Sequence, residues 1–183
     1  MPVDMKAMIA QKLGELLEQK NLDKITVREL VETCHISRQT FYYHFHDLME
    51  VVEWNQHKVL EKALQRDFSQ GNSKEAIKEI VTDVLSHKEL ILQLLESRQH
   101  DEIVELFLNT VRFQLREILR KKAPVASVAP MDAETMVSFY ANGIVGMMIG
   151  ELKKKEVNVE IFSTQLYRLL AGKITFDFTD VPV

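Results

Sequence analysis

The side chains best suited to chemistry lie between Ser37 and His46, a stretch without a carboxylate. Phe41 and Phe45 are four residues apart, so on a helix they share one face and are expected to point inward. The exposed side then carries groups that pair with base edges or bind phosphates of duplex DNA. These groups belong to Arg38, Gln39, Thr40, Tyr42, Tyr43 and His44. The pattern predicts a helix that binds DNA.

A helix-turn-helix is the arrangement that would hold such a helix in place. Thr26 followed by Glu29 has the form of a capping box, which predicts a helix that ends near Cys34 and His35. Ser37 is a favourable N-cap for the next helix. Two helices this short cannot bury their apolar faces alone, so the amphipathic helix over residues 5–20 must lie across them. Residues 1–46 are therefore predicted to form a DNA-binding domain whose second helix enters the major groove.

Residues 47–183 are predicted to form a larger helical body for effector binding and dimerisation. The chain contains only 6 glycines and 4 prolines, and this low number favours long helices over a turn-rich β fold. The sequence predicts an all-α protein of about nine helices. The first predicted helix of the body runs from Asp47 to about Phe68, and the second begins at a cap at Asn72. The remaining helices are predicted over 88–97, 101–122, 132–155 and 158–172.

Composition excludes several classes of protein. A single cysteine rules out an intramolecular disulfide framework and a cysteine-rich zinc site. The histidines near the turn diverge on a helix, so no metal site is expected, and no catalytic motif or cofactor site is found. The apolar run 144–150 is far shorter than the ~20 residues of a membrane span, so a cytoplasmic protein is expected.

Charge alone does not predict a nucleic-acid partner. The net charge is −4, and residues 1–45 carry six basic and six acidic side chains. Affinity for DNA would have to come from neutral hydrogen-bonding groups and from backbone amides at the helix N-termini near Thr26, Ser37 and Asp47.

At these residues the sequence resembles the TetR family of bacterial transcriptional regulators. The similarity covers residues 8–55 and includes Ile25-Thr26-Val27 and the run from Ile36 to Phe45 followed by Asp47. It implies that DNA is faced by Thr26, Ser37, Gln39, Thr40, Tyr42, Tyr43 and His44. Gln39 and Thr40, together with Arg38, are expected to read bases. The other residues are expected to bind the DNA backbone.

The chain departs from the family pattern at two places. Cys34-His35 stands where members often have Ala-Gly, but His tolerates a left-handed turn better than most residues. His46 stands where members often have Lys. A histidine donates to a phosphate best when it is protonated, so binding is expected to strengthen at mildly acidic pH. Within the family, the Phe41–Phe45 run, the short length and Trp54 are similar to the subgroup of regulators of dihydroxyacetone kinase operons.

Three glycines within eight residues of one predicted helix need a reason, since each costs a helix interior ~1 kcal/mol. They fit either close packing within the subunit or an interface between subunits, and the resemblance favours a homodimer on a palindromic operator. The predicted interface comprises Gly143, Gly146, Gly150, Phe162, Leu166 and Leu169.

An effector site is also predicted among the body helices, although such residues often serve only as core. The candidates are Trp54, His57, Phe107, Arg112, Tyr140 and Met147. The predicted function is a repressor released by a small-molecule or protein effector. Two alternatives stay open: an activator of the same fold working with a protein co-activator, and a helical protein-interaction module that does not bind DNA.

Overall fold

The computed structural model describes residues 4–64, 73–122 and 129–174, and these residues form nine α-helices and one 3₁₀ turn. The elements are α1 (Met5–Leu17), the 3₁₀ turn (Leu22–Lys24), α2 (Val27–Cys34), α3 (Arg38–His44), α4 (Leu48–Leu64), α5 (Ser73–Ser86), α6 (Lys88–Leu95), α7 (His100–Lys122), α8 (Pro130–Leu152) and α9 (Val159–Leu170). The all-α prediction is confirmed. The predicted helix end at Phe68 and the cap at Asn72 lie outside the described residues.

Polar side chains begin the helices of the N-terminal unit as predicted. The Thr26 hydroxyl accepts from the Glu29 amide at 3.2 Å, and the Ser37 hydroxyl accepts from the Thr40 amide at 3.0 Å. The second half of the predicted capping box at Thr26 is wrong, because the Glu29 carboxylate binds the Lys20 ammonium instead. This ion pair ties the segment after α1 to α2.

Helix α8 begins earlier than predicted. The expected start was Asp132, but Pro130 occupies the first turn and Ala129 is the N-cap. Proline is favoured there because its fixed φ suits the helix and its missing N–H would have no partner. The helix ends at Leu152 rather than Lys155.

The largest apolar cluster joins the N-terminal unit to the body. Ile9, Leu30 and Phe41 are fully buried in it, and the same cluster contains Leu94 and Leu95 of α6. Helix α1 packs on α2, α4 and α6, and α4 packs on α7. The packing is therefore continuous across residue 46, where the sequence predicts a domain boundary.

The rest of the body consists of two helix pairs, α5 with α9 and α7 with α8. Ion pairs reinforce the first: Glu160 of α9 binds Lys74 at 3.0 Å and Lys78 at 2.8 Å. The hydrogen bonds from Lys78 and then Lys74 lower the pKa of Glu160 to about 2. Phe162 and Leu166 fill the apolar side of this pair.

Candidate nucleic-acid interface

Helix α3 has one buried face and one exposed face. Phe41 and Phe45 are 0% and 2% exposed, and their rings lie 6.1 Å apart. Tyr42 and Tyr43 are 57% and 84% exposed. The Phe45 ring also packs edge-on against Trp54 of α4 at 6.2 Å, so α4 fixes the end of α3. The predicted orientation of α3 is confirmed.

The turn before α3 has the predicted left-handed backbone. His35 has φ 54° and ψ 41°, the only positive φ at a non-glycine position in the described part of the chain. The amides of His35 and Ile36 donate to carbonyls of the last turn of α2, at 3.2 and 3.0 Å. This closes α2 and directs the chain into α3 at a sharp angle.

The nine residues predicted to bind DNA lie at the surface of this unit. Ser37, Arg38, Gln39 and His46 are exposed, and His44 is half-buried beside the Tyr43 ring. Three hydroxyls are engaged in the free protein: those of Ser37 and Thr40 bond each other at 2.9 Å, and that of exposed Thr26 caps α2. Arg38 and Gln39 occupy the first turn of α3, the part of a recognition helix that meets base edges.

Carboxylates near the surface of α3 are already bonded within the protein. Glu32 binds Arg28 at 2.9 Å, and Glu29 binds Lys20. Asp47 and Glu50 hold the start of α4, where the Glu50 carboxylate accepts from the His46 amide and the Asp47 carboxylate accepts from the Glu50 amide. Of these four carboxylates, Glu29 and Glu32 are paired with cations, whereas Asp47 and Glu50 are bonded only to backbone amides and keep their charge.

Cys34 belongs to the core rather than to a site. Its side chain is buried, and burial raises the pKa of the thiol. Among residues 4–64, 73–122 and 129–174, no group of His, Cys, Asp or Glu side chains is placed to hold a metal ion. Nor is a membrane-spanning helix found in that part of the chain.

The residues predicted to bind an effector are distributed over the body. Trp54 lies against the N-terminal cluster, Met147 against the α5–α9 pair, and Phe107 between the N-terminal cluster and the α7–α8 pair. Arg112 bonds Glu105 on its own helix at 2.7 Å. His57 is exposed and Tyr140 half-buried. No one apolar cluster of the described residues contains all six of these side chains.

The glycines of α8 face away from the rest of the subunit. These three glycines are exposed, and a Cβ added at Gly143, Gly146 or Gly150 would meet no described residue within 4 Å. Close packing against the described part of the subunit, one of the two explanations left open by the sequence, is therefore wrong. The same side of α8 carries Phe139, which is 73% exposed, on an open surface that runs along the helix from Met131 to Gly143.

The predicted interface needs correction on α9. Phe162 and Leu166 are 4% and 5% exposed and pack against their own subunit, so they have almost no area left for a partner. Leu169 is half-buried. Exposed apolar area is offered instead by Ile161 of α9 and by Phe139 of α8, and of these two the sequence prediction missed Phe139. Phe139 precedes Gly143 by four residues, a spacing that places both on one helix face.

Two family profiles match this chain. Residues 14–48 match "Bacterial regulatory proteins, tetR family", and residues 71–172 match "Transcriptional regulator C-terminal region". The first range contains α2, the turn and α3, and the second contains α5 to α9. No curated protein matches the sequence.

Several solved structures share the fold at low sequence identity. "Dihydroxyacetone kinase operon activator DhaS" is 15% identical with a TM-score of 0.71, over 92% of this chain and 95% of that one. A TetR transcriptional regulator from Streptococcus agalactiae is 18% identical with a TM-score of 0.60, over 88% and 92%. A transcriptional regulator from Aquifex aeolicus is 18% identical with a TM-score of 0.61, over 92% and 99%.

Proposed function

The chain belongs to the TetR family of DNA-binding transcriptional regulators, and we propose that it is a homodimeric repressor that an effector releases from a palindromic operator. The observation that carries the proposal is the exposed face of α3, where Tyr42 and Tyr43 project beside the fully buried Phe41. TetR-family regulators are generally not enzymes, and the proposal gives the chain no catalytic role. We expect it to act in the cytoplasm, where bacterial DNA is found.

In this proposal Arg38, Gln39 and Thr40 read bases. The guanidinium of Arg38 suits the two acceptors of guanine, and the amide of Gln39 suits adenine. The hydroxyl of Thr40 bonds Ser37 in the free protein, which leaves its methyl group for a thymine methyl. The remaining residues of the face bind phosphates: Thr26, Ser37, Tyr42, Tyr43, His44 and His46.

The exposed side of α8 supports a dimer. Phe139 and the glycine side of the helix form an apolar, low-relief surface on which a second copy could approach closely. Isologous dimers match palindromic sites because both have two-fold symmetry. We infer that Gly143, Gly146, Gly150, Ile161 and Leu169 contribute to this contact.

Dimer formation is tested with Gly146→Arg. The subunit should fold normally, because Gly146 is exposed and no described residue lies within 4 Å of the new Cβ. Sedimentation should show monomers, and operator binding should be lost. Asn55→Arg adds the same charge at an exposed position of α4 and should leave the dimer intact. A Gly146→Arg protein that sediments as a dimer would remove α8 from the interface.

DNA reading is tested with Gln39→Ala. The binding site is first selected from randomised duplex DNA with the wild-type protein. Losing a base-reading amide should cost about 1–3 kcal/mol and relax specificity at one position of each half-site. Gln19→Ala, an exposed glutamine of the same unit, is the matched control. Equal affinity and specificity in the two variants would reject the assignment of Gln39.

An activator is the second candidate. The fold is similar to that of a protein named as an operon activator, and the sequence resembles the subgroup of dihydroxyacetone kinase regulators. Repressor and activator differ in the position of the operator relative to the promoter and in the sign of the response. Transcription from a reporter that carries the selected site, with and without the protein, decides between them.

A further inference from the structure

A small set of polar contacts joins the DNA-binding unit to the body beyond its covalent link through α4. The side chains of Asn21 and Asp23, in and beside the 3₁₀ turn after α1, reach the end of α6 and the turn that follows it. We call these contacts the 21/23 clamp. They lie beside apolar packing in which a Cβ at Gly14 would come 3.5 Å from Leu90 of α6.

Asn21 bonds both units with one amide group. Its Oδ1 accepts from the Asp23 amide at 2.9 Å and so caps the 3₁₀ turn. Its Nδ2 donates to the carbonyl of Gln93 at 3.2 Å. That carbonyl belongs to the last turn of α6, where carbonyls have no partner within the helix. A side chain from the DNA-binding unit thus completes the C-terminus of a body helix.

Asp23 bonds the turn between α6 and α7. Its two carboxylate oxygens accept from the Arg98 amide at 3.3 and 3.2 Å, and the Arg98 guanidinium lies 3.9 Å away. The Asp23 side chain is 28% exposed, whereas that of Arg98 is 91% exposed. The bond from the Arg98 amide to the Asp23 carboxylate is therefore better defined than the contact with the exposed Arg98 guanidinium.

The clamp is anchored on a rigid part of the DNA-binding unit. Leu22, between its two residues, is 4% exposed and belongs to the same apolar cluster as α3. Lys20, the residue before Asn21, is bonded to Glu29 of α2. A change of angle at the clamp is therefore transmitted to α2 and α3 rather than absorbed in a loop.

Apolar contacts and hydrogen bonds constrain this junction differently. The packing of α1 on α6 is non-directional, so it holds the two units together without by itself selecting one angle between them as sharply as a hydrogen bond does. Hydrogen bonds weaken steeply when their angle is lost. We propose that Asn21 and Asp23 are positioning residues that fix the angle of the DNA-binding unit on the body and thereby set the half-site separation that the dimer accepts. This inference rests on the proposed dimeric binding to a palindromic operator.

The test compares half-site spacings. Duplexes carrying the selected site are made with the separation of the half-sites changed by one or two base pairs in either direction, together with a duplex that holds one half-site. Asn21→Asp keeps the oxygen that caps the 3₁₀ turn but replaces the donor to Gln93 with a second acceptor. Asp23→Asn removes the charge and one of the two acceptors for the Arg98 amide. Glu32→Gln removes the same charge from the same unit without touching the body.

We expect wild type and Glu32→Gln to lose at least tenfold in affinity when the spacing changes by one base pair. Asn21→Asp and Asp23→Asn should bind the original spacing about three- to tenfold more weakly and show a flattened dependence on spacing. Their affinity for the single half-site should equal that of wild type. An unchanged spacing profile overturns the inference, and so does an equal loss on the half-site, which would place the effect inside the DNA-binding unit.

The proposed function can fail separately in the same experiment. If wild type binds one half-site as tightly as two and shows no preference for spacing, dimeric operator binding is wrong and the clamp has no spacing to set. Thermal melting of each variant verifies that the affinities refer to folded protein.

Discussion

Two positions of α3, Phe41 and Tyr43, are expected to respond oppositely to truncation. Phe41 is fully buried, and replacing a buried Phe with Ala costs about 3–5 kcal/mol. For a chain of this size each kcal/mol lowers the melting temperature by roughly 2–4 °C, so Phe41→Ala should melt roughly 6–20 °C below wild type. Tyr43 is 84% exposed, and surface changes stay within about 0.5 kcal/mol. Tyr43→Ala should therefore melt within roughly 2 °C of wild type.

Operator binding should be weakened more by Tyr43→Ala than by Phe41→Ala when both variants are compared at a temperature where they are folded. A phenol bonded to an anionic phosphate contributes about 1.5–3 kcal/mol, so Tyr43→Ala should weaken operator binding roughly 10–150-fold per half-site. Circular dichroism at increasing temperature gives stability, and fluorescence anisotropy with labelled duplex gives affinity. A large drop in melting temperature for Tyr43→Ala, with Phe41→Ala unaffected, would reverse the assigned faces of α3 and refute the reasoning.

Three further predictions concern the turn at His35, the ion pairs of Glu160 and the side chain of His46. His35→Gly should raise the melting temperature by a few degrees, because glycine adopts φ 54° without the strain of a Cβ of about 1 kcal/mol, whereas His35→Val should lower it. The lowered pKa of Glu160 means that its ion pairs stabilise the fold fully above the unfolded value of 4.5 and are lost as the pH falls toward about 2; wild type should therefore lose stability over this range, and Glu160→Gln should lose less. His46→Ala should weaken operator binding measured by fluorescence anisotropy, and an unchanged affinity would show that His46 does not bind a phosphate.

The exposed face of α3 could be predicted from sequence because it depends on local rules. Phe41 and Phe45 are separated by one helical turn, and Ser37 caps the helix beside them. The left-handed backbone at His35 is expected from the resemblance to the family, whose members often have Ala-Gly where Cys34-His35 stands. These features need no knowledge of distant parts of the chain.

The interface on α8 and α9 could be predicted only in part, because it depends on tertiary contacts. An apolar stripe identifies the side of α9 that is buried but not the surface that buries it. Phe162 and Leu166 are covered by α5 and α8 of their own subunit, which no local pattern of α9 specifies. The same limit explains the Glu29 carboxylate, which meets Lys20 from the segment after α1 instead of its local amide.

The continuous core suggests how a change in the body could reach the DNA. Leu94 and Leu95 of α6 are buried with Ile9 and Phe41, so α6 cannot move far without disturbing the packing beneath α3. Truncating a buried leucine costs about 2–5 kcal/mol, and shifting a two-state switch from mostly bound to mostly free takes roughly 5 kcal/mol. An effector that displaces α6 would therefore have to supply a differential binding energy of the same order as the packing it disrupts. Since the packing of α6 and its hydrogen bonds to Asn21 and Asp23 are both on the path between the units, their combined strength sets how tightly an effector must bind in order to release the operator.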